Sequence, residues 1–183
     1  MLVTGNHKFV DSLLYIAFQF AGGLCAGFMV WFICISKEDA LHNLGYIQTY
    51  PQIAVGANQG YFGINFWRAF VVEFIATFFL VFMVFATAVD AENVRKANMG
   101  SVYGVCIGGV VGFSALGIGR FSGAALNPAR WLGPWIVSLM AVSATQKEQA
   151  NDNGFAFIVY LAATCGGGIV AGITYKALFL NKD

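Results

Sequence analysis

In a chain that is 58% hydrophobic, the polar side chains set inside apolar runs are the ones able to do chemistry. The stretch Phe121–Trp135, FSGAALNPARWLGPW, holds Asn127 and Arg130 between two long apolar segments. Asn is a strong helix N-cap, because its side-chain oxygen accepts from backbone N–H groups one turn ahead. Pro128 follows at the first helical position, where its missing N–H costs nothing and its φ is already helical. The pair predicts a helix starting at Asn127. Gly133 and Pro134 predict its end after about two turns, and Ser122 with Gly123 predicts a tight, non-helical entry. So short a helix cannot cross a bilayer, which takes about 20 residues. At membrane depth it is re-entrant, with non-helical backbone buried in protein or lining a water-filled cavity. Its start carries unpaired N–H groups and a positive dipole end.

Two further polar residues interrupt apolar runs. Glu73 lies in the segment from Phe66 to Ala88, with Thr77 one turn later. An ionisable residue inside a membrane is costly and marks a functional site by default. The apolar runs hold no second acid for a proton relay. Gln19 is the strongly polar residue of the segment from Ser12 to Ser36, where an interhelical hydrogen bond is favoured over a pore role.

The elements that must position these groups are four apolar segments in a single membrane domain, residues 1–183: Ser12–Ser36, Phe66–Ala88, Met99–Ile118 and Gly154–Leu178. Gly23 and Gly27 give the first a small-residue face for close helix packing. Gly104, Gly108 and Gly112 do the same for the third, and Gly168 and Gly172 for the fourth. Lys37–Asn65 is a long polar connection, with Tyr50 and Tyr61 suited, like Trp67, to a membrane interface. Asp90–Asn98 is a short charged turn, and the connection Val137–Asn153 turns polar toward its end.

Composition excludes several classes. Charged residues make up 10% of the chain, against about 25% in soluble domains, and mean hydropathy is +0.70. An Asn-capped helix start in a soluble domain is therefore set aside. Net charge is +1, which leaves no nucleic-acid footprint. Cys25, Cys34, Cys106 and Cys165 all lie in apolar segments without metal-ligand spacing and read as buried small hydrophobes. His7 and His42 lie in polar stretches. No Ser/His/Asp set, paired carboxylates or phosphate loop is present. No enzyme, no cofactor and no metal is expected.

SGAALNPAR followed by Gly133-Pro134 resembles the second signature loop of the aquaporin, or major intrinsic protein, family, in which two NPA half-helices meet at mid-membrane. YIAFQFAGGLCAG, VVEFIATFFLVFMVF and IVYLAATCGGG resemble that family's third, fourth and sixth helices, with Thr164 where the family usually has Pro. The Gly-repeat segment is similar to the fifth. The resemblance implies an all-α integral membrane protein, with four transmembrane helices and one re-entrant half-helix at 121–135. It makes Asn127, Pro128, Ala129 and Arg130 the pore motif. It aligns Ala115 and Ala124 with filter positions, where two alanines imply a wide constriction. Glu73 and Gln19 become supports of the loop, Glu73 by accepting backbone N–H groups between Ser122 and Leu126. Trp131, where the family often has Ser or Asp, and Arg120 depart from its pattern, and a bulky Trp beside Arg130 puts the filter geometry in question.

The family's first two helices and first NPA loop have no counterpart here, which gives a truncated aquaporin-like fold. Transporter folds of this kind are built from inverted repeats with the site at their interface, so one repeat plus one helix does not close a pore alone. Two functions follow: a non-conducting accessory subunit of a larger membrane complex, which the missing half favours, or a passive channel for water or small glycerol-like solutes completed by another chain. Expected partners are membrane lipids and other membrane-protein subunits, an energy-transducing organelle complex among them, with the mitochondrial inner membrane as a candidate location. Lys8, Arg95, Lys96, Lys176 and Lys182 against Lys37, Arg68 and Lys147 place both termini on the cytoplasmic or matrix side.

Overall fold

The computed structural model describes residues 4–5, 8–34, 66–90, 102–141 and 154–180. Among them only helices and turns occur. The helices are α1 (Phe9–Cys34), α2 (Phe66–Val84), α3 (Tyr103–Ser122), α4 (Pro128–Ala141) and α5 (Gly154–Tyr175). α2 and α5 each run on into a π-helical turn, Phe85–Val89 and Lys176–Leu180. The stretches Phe9–Met29, Phe66–Val89 and Phe157–Leu180 are long and apolar enough to cross a membrane, and α3 carries a shorter apolar stretch, Tyr103–Gly119. The protein is an all-α integral membrane protein. Ser36, Met99, the connection with Tyr50 and Tyr61, both histidines, and Lys37, Arg95, Lys96, Lys147 and Lys182 lie outside the described residues.

Glycine seams decide the packing. Gly167 of α5 abuts the Phe74 carbonyl of α2 with no room for a Cβ, Gly168 rests on Val81, and Gly172 packs against Phe85 and Thr4. α2 and α5 thereby form the main helix pair, closed at one end by Tyr175, whose ring meets those of Phe82, Phe85 and Phe179. The buried Tyr175 hydroxyl donates to Asp90 Oδ2 at 2.9 Å there. α1 packs against α4. Gly23 abuts the Ala129 carbonyl, and Gly27 meets the Gly133 carbonyl and Val137. Gly133 in turn sits on the Gly23 backbone.

Several expectations change. α4 does not stop at Gly133 and Pro134 but runs through them to Ala141. Gly133 works there as the close-contact point for α1, and Pro134 is accommodated at the seventh helical position of a segment held by that contact. Ser122 is the last residue of α3 and not part of a loop; the helix ends at Gly123, whose φ of 86° is the left-handed cap only glycine adopts freely. A Cβ added to Gly104, Gly108 or Gly112 would meet nothing within 4 Å, so that face of α3 is open among the described residues. Cys25 and Cys165 are exposed on helix surfaces and not buried, Cys106 is half-buried, and all three are free thiols.

Candidate functional site

The site grows from the break between α3 and α4. After the Gly123 cap, the chain crosses to Asn127 in four residues, and two of them take left-handed backbone, Ala124 at φ 47° and Leu126 at φ 56°. Non-glycine residues in that region cost roughly 1–2 kcal/mol each, so such a turn persists only when neighbours over-determine it. Glu73 of α2, fully buried, supplies that constraint. Its Oε1 accepts from the Ala125 N–H at 2.9 Å and from the Ser122 hydroxyl at 2.6 Å, and its Oε2 accepts from the Leu126 N–H at 3.0 Å. The Tyr160 hydroxyl of α5 donates to the Ser122 carbonyl at 2.5 Å. Thr77, one turn beyond Glu73, is buried with its hydroxyl unpartnered among the described residues.

Asn127 caps α4: its Oδ1 accepts from the Ala129 N–H at 2.9 Å. Its Nδ2 donates to Gln19 Oε1 of α1 at 3.2 Å. Pro128 opens the helix and Ala129 is buried against Gly23. Arg130 is exposed, yet its Nη1 donates back to the carbonyls of Gly123 at 3.2 Å and Ala124 at 2.8 Å. The guanidinium thus folds over the loop it follows. Gln19 and Arg130 are exposed and Asn127 half-buried, so N–H donors gather along one open side of the loop.

Ala124 is buried, and its carbonyl accepts from Arg130. Ala115 is exposed on α3. Trp131 does not crowd Arg130. It is 2% exposed and stacks on Tyr160, Phe157 and Trp135, filling the interior between α4 and α5. The conflict its bulk suggested does not arise, because successive helical residues point about 100° apart. Thr164, at the usual Pro position, donates to the Tyr160 carbonyl at 2.7 Å within α5. The left-handed residues and the aromatic stack have no signal in the sequence: nothing in Ala124, Leu126 or Trp131 as residue types announces them. Among the described residues no His, Cys, Asp and Glu cluster could hold a metal.

The arrangement carries no nucleophile or acid–base pair. What it offers a guest is hydrogen bonding from Asn127, Gln19 and Arg130. Residues 1–175 match the family described as Major intrinsic protein. Aquaporin TIP1-1 from Zea mays is 35% identical over 98% of this chain and 58% of its own length. Aquaporin TIP1-1 from Arabidopsis thaliana is 36% identical over 98% of this chain and 59% of its own length. A probable aquaporin TIP-type from Medicago truncatula is 32% identical, covering 98% and 59%. The chain therefore spans only 58–59% of the length of these curated relatives. No solved structure matches it significantly.

Proposed function

The chain belongs to the major intrinsic protein family, and from that membership we propose that it forms one wall of a passive channel for water or small neutral solutes. The opposite wall comes from a further segment or chain corresponding to the part of the relatives that this chain does not match. The observation that carries the reading is the row of donors along the open side of the loop: Gln19, Asn127 and Arg130, with the loop backbone held from behind by Glu73. Donors held on a rigid loop bind an oxygen-bearing neutral molecule without a chemical step, and weak, multiple contacts suit passage. Relatives named as aquaporins support the channel over the accessory subunit that the sequence favours.

The experiment co-expresses this chain with the unmatched portion of the Zea mays relative and follows vesicle shrinkage by stopped-flow light scattering after an osmotic step. Shrinkage above vesicles lacking this chain, lost in Asn127→Asp, is the expected result. Shrinkage no faster than those controls, with both pieces present in the membrane, overturns the channel.

A further inference from the structure

One face of α2 carries a cation at its end. Phe74, Phe78 and Val81 meet the α5 glycines. About 140° round the helix, Arg68, Val72, Ile75, Ala76 and Phe79 recur at spacings of three and four and share a second face. Val72, Ile75, Ala76 and Phe79 line one side of a groove of about 400 Å³. Val110, Phe113, Ser114 and Ile118 of α3 line the other, and all but Ser114 are apolar. The groove is open: Ile75 is 48% exposed and Phe113 77%.

Its position separates it from the solute path. The open stripe of Gly104, Gly108 and Gly112, with Ala115, lies about 140° round α3 from the groove-lining residues. A wall that completes a path on that side leaves the groove uncovered. The groove lies between an α2 stretch long and apolar enough to cross a membrane and the shorter apolar stretch of α3, so it faces the bilayer.

Arg68 sets what fills it. One turn before Val72, it is exposed in the first turn of α2, beside Trp67. Trp is favoured at the membrane–water interface, and an Arg stem lies along apolar surface while its charged tip reaches the headgroups. The rise from Arg68 to Phe79 is about 16 Å, close to one leaflet of a hydrocarbon core about 30 Å thick. A guanidinium fork matches the geometry of a phosphate. A zwitterionic headgroup brings its own cation to that phosphate, whereas an anionic one leaves it to Arg68.

We propose that the α2–α3 groove is a binding site for one anionic phospholipid, with an acyl chain lying on Val72, Ile75, Ala76 and Phe79 and the phosphate on Arg68. The site needs only the bilayer and does not depend on the channel reading.

The test places the full chain in phosphatidylcholine nanodiscs holding a small fraction of phosphatidylglycerol with a diazirine at mid-chain. The control is the same diazirine on phosphatidylcholine. After illumination, labelled residues are mapped by peptide mass spectrometry. Phosphatidylglycerol is expected to label Ile75–Phe79 and Val110–Ser114 at least threefold more than the control probe does. Arg68→Gln is expected to equalise the two probes. Ile75→Trp, which lays a ring into the groove, is expected to lower labelling by both. The comparison in the parent needs no variant and decides by itself. Equal labelling by the two probes removes the phosphate contact and overturns the proposal. So does phosphatidylglycerol labelling spread evenly onto exposed α1 residues such as Phe18. Groove residues left unlabelled by either probe also overturn it, and an oligomer that Ile75→Trp then dissociates identifies a second copy as the occupant.

Discussion

The Ser122 hydroxyl donates to Glu73 Oε1 at 2.6 Å across 49 residues of sequence, and both side chains are completely buried. The same carboxylate accepts the N–H groups of Ala125 and Leu126. One side chain of α2 thus closes three donors of a segment whose backbone is left-handed at two non-glycine positions. An isolated buried carboxylate would be costly, and here its oxygens accept from the Ser122 hydroxyl and from two backbone N–H groups of the non-helical stretch.

Glu73→Leu is therefore expected to be severe. Each buried donor left without a partner costs about 1–3 kcal/mol, and the left-handed turn loses its constraint as well. Glu73→Gln, which retains one acceptor oxygen, falls between. Thermal unfolding in detergent, followed by tryptophan fluorescence, checks the order: parent above Gln above Leu. A Leu variant that melts with the parent would show that the loop is held by something else.

Gly133, read from the sequence as a helix end, is a packing position in the structure, and Gly108, read as a packing position, is open among the described residues. A Cβ on Gly133 would collide with the Gly23 backbone and come within 2.8 Å of the Leu24 nitrogen, whereas one on Gly108 meets nothing within 4 Å. Gly133→Ala is expected to lose about 1–3 kcal/mol from overpacking. Gly108→Ala is expected to gain up to about 1 kcal/mol from helix propensity. Melting the two variants side by side decides the matter, and equal shifts would contradict the α1–α4 seam.

Trp131 tests the interior between α4 and α5. Trp131→Ala removes the ring that stacks on Tyr160, Phe157 and Trp135, a truncation worth about 3–5 kcal/mol in a packed core. Trp131→Phe keeps a ring and discards an indole N–H that is buried without a partner among the described residues. Since an unsatisfied buried donor costs about 1–3 kcal/mol, the Phe variant is expected to match or exceed the parent's melting temperature. Equal losses in both variants would mean that the indole N–H is satisfied.

Much of the site is legible in the chain because polarity inside apolar runs is conspicuous. Glu73, Gln19, Asn127 and Arg130 stand out for that reason, and Asn-Pro marks a helix start by mechanism. Gly133 shows the limit. As a residue type it signals a helix end, and next to Pro134 the signal doubles, yet the contact with α1 outweighs it and α4 runs on. Local propensity is weaker than a tertiary seam. The stripe Gly104, Gly108 and Gly112 shows the converse: small residues declare that a backbone could approach, not that one does. The left-handed turns at Ala124 and Leu126 are dictated by a carboxylate about 50 residues away, which no local window contains.

The last prediction separates this chain from the assembled channel. Alone in liposomes it is expected to pass water and glycerol no faster than protein-free vesicles. Its donors lie on an open side: Gln19 and Arg130 are exposed and Asn127 is half covered. Facing lipid tails, the N–H groups beyond those bonded to Gln19 Oε1 and to the Gly123 and Ala124 carbonyls would meet no acceptor, and a cation near the bilayer centre costs roughly 2.5–3.5 kcal/mol. The open side is therefore expected to close, against lipid or against another copy, and either closure removes the space a file of water needs. Parallel copies cannot supply an oppositely directed half-helix, so self-association does not rebuild the path. Adding the unmatched portion of the Zea mays relative is expected to restore shrinkage after an osmotic step, and Arg130→Ala to change the ratio of glycerol to water flux by removing the side chain that spans the Gly123 and Ala124 carbonyls. Rapid shrinkage of liposomes holding this chain alone, lost in Asn127→Asp, would mean that the path forms without the unmatched portion and would overturn this prediction.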